Sequence, residues 1–259
     1  MTLVYNKGKP IANMYDSDGK KVSSIGYLDE DLMKEGDVKL DKVRINNKDE
    51  IFFPVISDFK KEDQVDRIYI TGETGCGKST FIQQYIVKFM KKYPDAPILL
   101  FSSKNEDKAL DSITKISRVE IDHDIYINPF TLQEISSHGK PTLCIFDDIE
   151  DFKNKKINKE VERLRDEIMR NGRSYGIYSI FVHHNPCDYK ATRNMIFEAN
   201  KVVIFPKRSG QGTYNYLMEK KLLLNKETIE MLNNLKSKYV CINKQIPKSI
   251  VSDKYIILL

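Results

Sequence analysis

The sequence predicts an α/β fold: a mostly parallel sheet with helices on both faces, preceded by a small β-rich lead-in. Three observations carry that expectation. Short continuous apolar runs recur from residue 65 onward, as strands buried on both faces require. Longer segments with apolar residues at helical spacing lie between them. One apolar run ends in a glycine-rich stretch, Gly72 to Ser79, that opens directly into such a helix.

Residues 1–64 form the lead-in, with turn signals such as Asp16-Ser17-Asp18-Gly19 and short apolar runs such as Ile51-Phe52-Phe53-Pro54-Val55-Ile56. Residues 65–259 form the main domain. Its first strand is Arg67-Ile68-Tyr69-Ile70. A helix follows from Ser79 to Lys92, with Phe81, Ile82, Tyr85, Ile86 and Phe89 on one face, closed by Pro94 and Pro97. Ile98-Leu99-Leu100-Phe101 and Leu143-Cys144-Ile145-Phe146 are the next strands. Asn158 to Asn171 reads as a helix with Val161, Leu164 and Ile168 facing inward, Asn158 capping its start and Gly172 its end. Ser179-Ile180-Phe181-Val182 and Val202-Val203-Ile204-Phe205 are two more strands. The tail adds a helix near 225–236 and strands near 239–243 and 254–259.

Composition narrows the class. With 259 residues, the chain suits one large domain with a small appendage. Apolar residues make up 41%, enough for a core, and charged residues 31%. No apolar run approaches the ~18 residues of a membrane span, and Met1 to Lys7 lacks a signal peptide's apolar stretch. An intracellular, soluble protein with no membrane partner is expected. Cysteines at 76, 144, 187 and 241 form no Cys-x-x-Cys pair, so reduced thiols are expected. The net charge of +5 permits a polyanionic partner without requiring one.

Gly72-Glu73-Thr74-Gly75-Cys76-Gly77-Lys78-Ser79 fits the phosphate-loop pattern G-x-x-x-x-G-K-[ST]. Its glycines let the backbone curl so that successive N–H groups point at phosphate oxygens. The expected nucleotide contacts run from Gly72 through Thr80. Lys78 would reach the β- and γ-phosphates, and the Ser79 hydroxyl would ligate Mg²⁺. A strand before and a helix after supply the context that an ordinary glycine-rich turn lacks. This makes the predicted fold a P-loop NTPase of the RecA/ASCE-like kind, with ATP and Mg²⁺ as cofactors.

Leu143 to Phe146 runs into two carboxylates, Asp147 and Asp148, the Walker B pattern. Asp147 would hold Mg²⁺ and Asp148 would polarise the attacking water. Glu150 and Asp151 follow closely and compete for that second role.

Residues 172–186 read Gly-Arg-Ser-Tyr-Gly-Ile-Tyr-Ser-Ile-Phe-Val-His-His-Asn-Pro. This resembles the segment of FtsK–HerA superfamily DNA motors that runs G-R-x-x-G-I, then an apolar strand, a polar sensor residue and a proline. His184 falls on the sensor position, where the family usually has Gln. A neutral His can donate one hydrogen bond and accept another. Thr192-Arg193-Asn194 and Lys201 to Phe205 resemble the family's Arg-Asn element and last core strand. The compact length, the Asp-Asp pair and Gly210-Gln211-Gly212-Thr213-Tyr214 are most similar to poxvirus-type genome-packaging ATPases of large DNA viruses and virophages. The resemblance covers about residues 65–245.

That resemblance implies an ATP-driven double-stranded DNA translocase packaging a viral genome. It implies a homo-oligomeric ring, a pentamer or hexamer, with capsid vertex proteins as further partners. The host cytoplasm, a viral factory or the virion is its expected place. Arg173 becomes a candidate transition-state arginine, with Arg170 second and Arg193 a cis contact. Lys207 and Arg208, in the loop Pro206 to Gly212, are candidate DNA contacts, as are Lys153, Lys155, Lys156 and Lys159. Each of these cations also has a plainer reading as a solvated surface charge. Two other functions remain open: a nucleotide or nucleoside kinase, and a non-catalytic DNA-binding scaffold with a P-loop fold.

Overall fold

The computed structural model describes every residue except 1, 29–41, 46, 105, 108, 122–124, 126, 137–140, 150–153, 186–188 and 207–210. The chain divides into two compact units, Ile56–Ala199 and one joining Met1–Val55 with Asn200–Leu259.

The chain starts with β1 (Thr2–Tyr5), β2 (Lys9–Tyr15), β3 (Lys21–Leu28), β4 (Lys42–Arg44) and β5 (Ile51–Pro54). Four of these make an antiparallel sheet in the order β1-β3-β2-β5. Asp16-Ser17-Asp18-Gly19 turns β2 into β3: the Asp16 carboxylate accepts from the backbone N–H groups of Asp18 and Lys20. The β-rich lead-in expected from the sequence is therefore present.

Residues 56–199 carry α1 (Phe59–Glu62), β6 (Arg67–Thr71), α2 (Lys78–Lys92), β7 (Ile98–Ser102), β8 (Ile116–Arg118), α3 (Leu132–Ile135), β9 (Thr142–Asp147), α4 (Lys155–Asn171), β10 (Ile177–His183) and α5 (Tyr189–Glu198). A short 3₁₀ turn, Gly172–Tyr175, links α4 to β10. The five strands are all parallel, in the order β6-β10-β9-β7-β8. Every residue of β9 and β10 is buried, which is why these segments read as unbroken apolar runs. The face of α2 read from its spacing is the buried one: Phe81, Ile82, Tyr85, Ile86 and Phe89 are at most 2% exposed. Each such side chain contributes roughly 1.5–3 kcal/mol of burial. Val161, Leu164 and Ile168 of α4 are likewise buried. The cap of α4 differs from expectation. Asn154, not Asn158, begins the helix, its side chain accepting from Lys156 N at 2.9 Å. Starting there adds one turn and buries Ile157.

Residues 200–259 supply β11 (Lys201–Ile204), α6 (Gln211–Tyr216), a π-helical turn (Leu217–Lys221), α7 (Lys226–Asn233), β12 (Val240–Asn243), β13 (Ser249–Ser252) and β14 (Tyr255–Leu258). Within their own unit these strands pair antiparallel in the order β4-β14-β13-β12-β11. Leu3, Ile25, Phe52, Val251 and Ile256 share a buried cluster there.

The parallel register positions the site. Thr71 lies opposite His183, Phe146 opposite Phe181, and Asp147 opposite Ser102. Strands in parallel end on the same side, so the residues after β6, β7, β9 and β10 meet at one edge.

Candidate active site

A cleft of about 250 Å³ opens at that edge. Its floor is the loop between β6 and α2. Gly75 (φ +75°) and Gly77 (φ +114°) adopt backbone conformations that an L side chain resists, so glycine is needed for the curl. Gly77 begins α2 without a side-chain cap. The first N–H groups of a 15-residue helix are thus left without helical partners, and Gly77, Lys78, Ser79 and Thr80 all line the cleft. Such an end carries partial positive charge and suits an anion.

A polar chain crosses the cleft. The Lys78 ammonium donates to Gly72 O at 2.7 Å and Glu73 O at 3.0 Å, and lies 3.2 Å from His184 Nδ1. His184 Nε2 lies 2.5 Å from Asp148 Oδ1. One neutral tautomer satisfies both contacts: Nδ1 accepts from the ammonium and Nε2–H donates to the carboxylate. The other Asp148 oxygen is ion-paired with Lys104. Asp148 also holds φ +52°, unusual for a residue with a side chain. Its carbonyl accepts from Ser103 Oγ at 2.5 Å.

The charges set each group's acidity. Burial alone would raise the Asp148 carboxyl, but Lys104 and His184 outweigh it and hold the group below the usual carboxylate range. Lys104 and His184 also act on Asp147, but more weakly. Burial, then repulsion from Asp148, pushes it up to about 6. Burial lowers the Lys78 ammonium. Pairing with Asp148 raises that of Lys104.

Of the residues singled out by sequence, Thr74, Gly75, Gly77, Lys78, Ser79, Thr80, Asp147, Asp148 and His184 all line the cleft. Gly72 and Glu73 contribute carbonyls to Lys78, while Cys76 N–H donates to Glu73 O and shapes the turn. Arg173 is elsewhere. It lies on the 3₁₀ turn before β10, at the opposite end of that strand, with its guanidinium 2.9 Å from Asp63 Oδ2. Seven residues of strand put it about 20 Å from its own cleft. Arg193 is exposed on α5 and does not line the cleft. Glu150, Asp151, Lys153, Lys207 and Arg208 lie outside the described residues.

Sequence reasoning missed Lys104 and Asp107, both in the cleft wall. Asp107 Oδ2 accepts from Ser79 Oγ at 3.2 Å, while its Oδ1 accepts from Ala109 N and Leu110 N. Both residues follow β7, and no motif spacing ties them to the phosphate loop. The available signal was topological: a parallel strand beside β9 must deliver its following loop to the same edge.

No protein-family model matches the sequence. Protein V3 of Sputnik virophage is 33% identical to this chain over 183 residues, covering 70% of the chain and 71% of V3. The chain belongs to the V3 family. Its fold is that of the P-loop NTPases. B204, the DNA-packaging ATPase from Sulfolobus turreted icosahedral virus, superposes with a TM-score of 0.52 at 16% identity, over 73% of this chain and 97% of B204. TcpA, the pCW3 conjugation coupling protein solved in monomer form with ATPγS, superposes with a TM-score of 0.55 at 11% identity, over 90% of this chain and 73% of TcpA. At these identities the likeness concerns the fold. No helix among the described residues is long and apolar enough to cross a membrane.

Proposed function

We propose that this chain is an ATP-driven double-stranded DNA translocase that packages a viral genome, working as a homo-oligomeric ring. The observation that carries the reading is the cleft itself. Phosphate loop, paired carboxylates and a histidine bridging them converge at the ends of three adjacent parallel strands. The fold shared with B204 and TcpA, one a DNA-packaging ATPase and the other solved with an ATP analogue, supports it.

The residues divide the chemistry. The N-terminal turn of α2 and Lys78 bind the triphosphate and orient its terminal group. Asp148, kept ionised by its partners, orients a water for in-line attack. His184 ties Asp148 to Lys78, so phosphate binding at the lysine is felt at the carboxylate. The donor set also fits Mg²⁺: the Ser79 hydroxyl and the Asp147 carboxylate are hard oxygens, and Asp147 and Asp148 are buried like charges that a cation would relieve. Among the described residues no group of three His, Cys, Asp or Glu side chains forms a cage, so the remaining ligands would be phosphate oxygens and water. When bound, the metal would neutralise phosphate charge.

Arg173, remote from its own cleft, would in this reading serve a neighbouring subunit, as ring ATPases require of a trans arginine. Lys155, Lys156 and Lys159 are exposed at the start of α4, which has no acidic residue in its first turn. Cations there oppose the helix dipole, and phosphate backbone contact would offset that cost. Together with Lys207 and Arg208 they are the proposed DNA contacts. The test is ATPase turnover with and without duplex DNA. Stimulation should appear at low salt and fade as salt rises. Its absence in assembled rings would contradict the motor and bring the kinase alternative forward. Replacing Lys207 and Arg208 by alanine should weaken DNA binding alike for all sequences and flatten its salt slope by about two.

A further inference from the structure

We infer that Lys104 is a ligand of the γ-phosphate, held on Asp148 until a nucleoside triphosphate draws it away. This rests on the proposed ATPase reading and adds a residue outside both of its motifs.

The placement follows from the register. Ser102, at the end of β7, lies opposite Asp147, so the chain that follows brings Lys104 to the cleft wall beside Asp148. Ser103 fastens this crossing by donating to the Asp148 carbonyl at 2.5 Å. The Lys104 ammonium then stands against the Asp148 carboxylate.

The two cleft lysines differ in what holds them. An ammonium has three donors. Those of Lys78 are matched by two loop carbonyls and His184, and the residue is 8% exposed. Among the described residues, Lys104 makes one ion pair, with Asp148, and its side chain is 53% exposed. It is the cation that can move without breaking the loop. Asp148 is 3% exposed at its side chain, and the pairing occupies the one oxygen His184 does not hold. While Lys104 stays, each oxygen of that carboxylate is engaged by a donor, and the ammonium draws off the charge that would attract a water proton. A terminal phosphate carries more negative charge than one carboxylate and competes for the same ammonium. Once Lys104 turns to it, Asp148 keeps its His184 hydrogen bond and exposes its second oxygen to the cleft. A diphosphate ends one group short and leaves the pair closed. Water activation is thereby coupled to the presence of the phosphate to be cleaved.

Binding of ATPγS and of ADP, both with Mg²⁺, to the wild-type chain, Lys104→Met and Lys104→Arg tests this by calorimetry. Lys104→Met should weaken ATPγS about tenfold or more and change ADP by less than about twofold, while Lys104→Arg retains the preference. Equal weakening of both nucleotides, or of neither, would overturn the assignment while leaving the ATPase reading standing. If the wild-type chain binds neither nucleotide, the ATPase reading falls and this inference with it. Amine labelling of Lys104 in the wild-type chain, read by mass spectrometry, avoids dependence on a variant's folding. ATPγS should protect Lys104 and ADP should not; equal labelling in both states overturns the proposal.

Discussion

The parallel sheet of residues 56–199 buries a carboxylate at each end, and the two are held in opposite ways. At the start of β6, Asp66 is fully buried and accepts from Ser57 Oγ at 2.6 Å and Tyr85 OH at 2.8 Å. Two neutral hydroxyls hold it, the Lys92 ammonium feels its charge, and Phe89, Tyr93 and Tyr178 pack together with ring centroids 5.1 to 5.7 Å apart. At the other end, Asp148 is nearly as buried, yet its partners are His184 and Lys104, with side chains 42% and 53% exposed. One carboxylate is sealed by groups with nowhere to go. The other is held by groups that solvent or a ligand can reach. Both carboxylates are buried, and the exposure of their partners is what separates a packing device from a site of chemistry.

Substitutions can break that contrast. The largest effect belongs to Lys78→Ala, which removes the main cation under the phosphates; nucleotide binding, read by ATPγS titration, should be lost. Near-normal binding would remove the phosphate loop from the account.

Arg173 sharpens the comparison because it belongs to the Asp66 end by position and to the cleft by proposed role. Arg173→Ala should lower turnover by about a thousandfold through the neighbour's site. Mixing it with Asp148→Asn subunits should restore part of the activity, since some interfaces then pair an intact Asp148 with an intact Arg173. No recovery at any ratio, in rings verified as mixed, contradicts a trans role.

Asp148→Asn should retain ATPγS binding and slow hydrolysis about a hundredfold or more. Surviving hydrolysis would shift water activation to Glu150 or Asp151. Thermal stability should hold, because the change also removes repulsion from Asp147.

Asp66→Asn should do the reverse. It places an amide donor among hydroxyls that already donate, lowering stability by about 1–3 kcal/mol in thermal unfolding while ATPγS affinity stays unchanged. A large loss of affinity without a loss of stability would erase the distinction between the two ends.

Legibility in the sequence followed the same divide. β6, β7, β9 and β10 were readable because strands buried on both faces leave no polar interruption. The phosphate loop was readable because its backbone needs glycine at fixed places. β8 and β13 were not: β8 is Ile-Ser-Arg with no buried residue, and β13 has only Ile250 and Val251 between two serines. Asn154 lost to Asn158 as the expected cap because both are good caps and burial of Ile157 decides between them. Asp66 gave no signal, as its partners come from Ser57 and from α2, apart in sequence. Lys104 and Asp107 were hidden for the same reason. Their place in the cleft is a consequence of strand order, which composition and spacing do not encode.

The claim that this cleft drives movement along DNA is tested most directly by displacement of a triplex-forming strand from duplex DNA. The wild-type ring should release the third strand with ATP and not with ATPγS or ADP, at a rate that falls as salt rises, and Asp148→Asn rings should bind the duplex without releasing it. ATP hydrolysis by assembled rings on bound duplex, with no strand released at any salt concentration, would contradict the account.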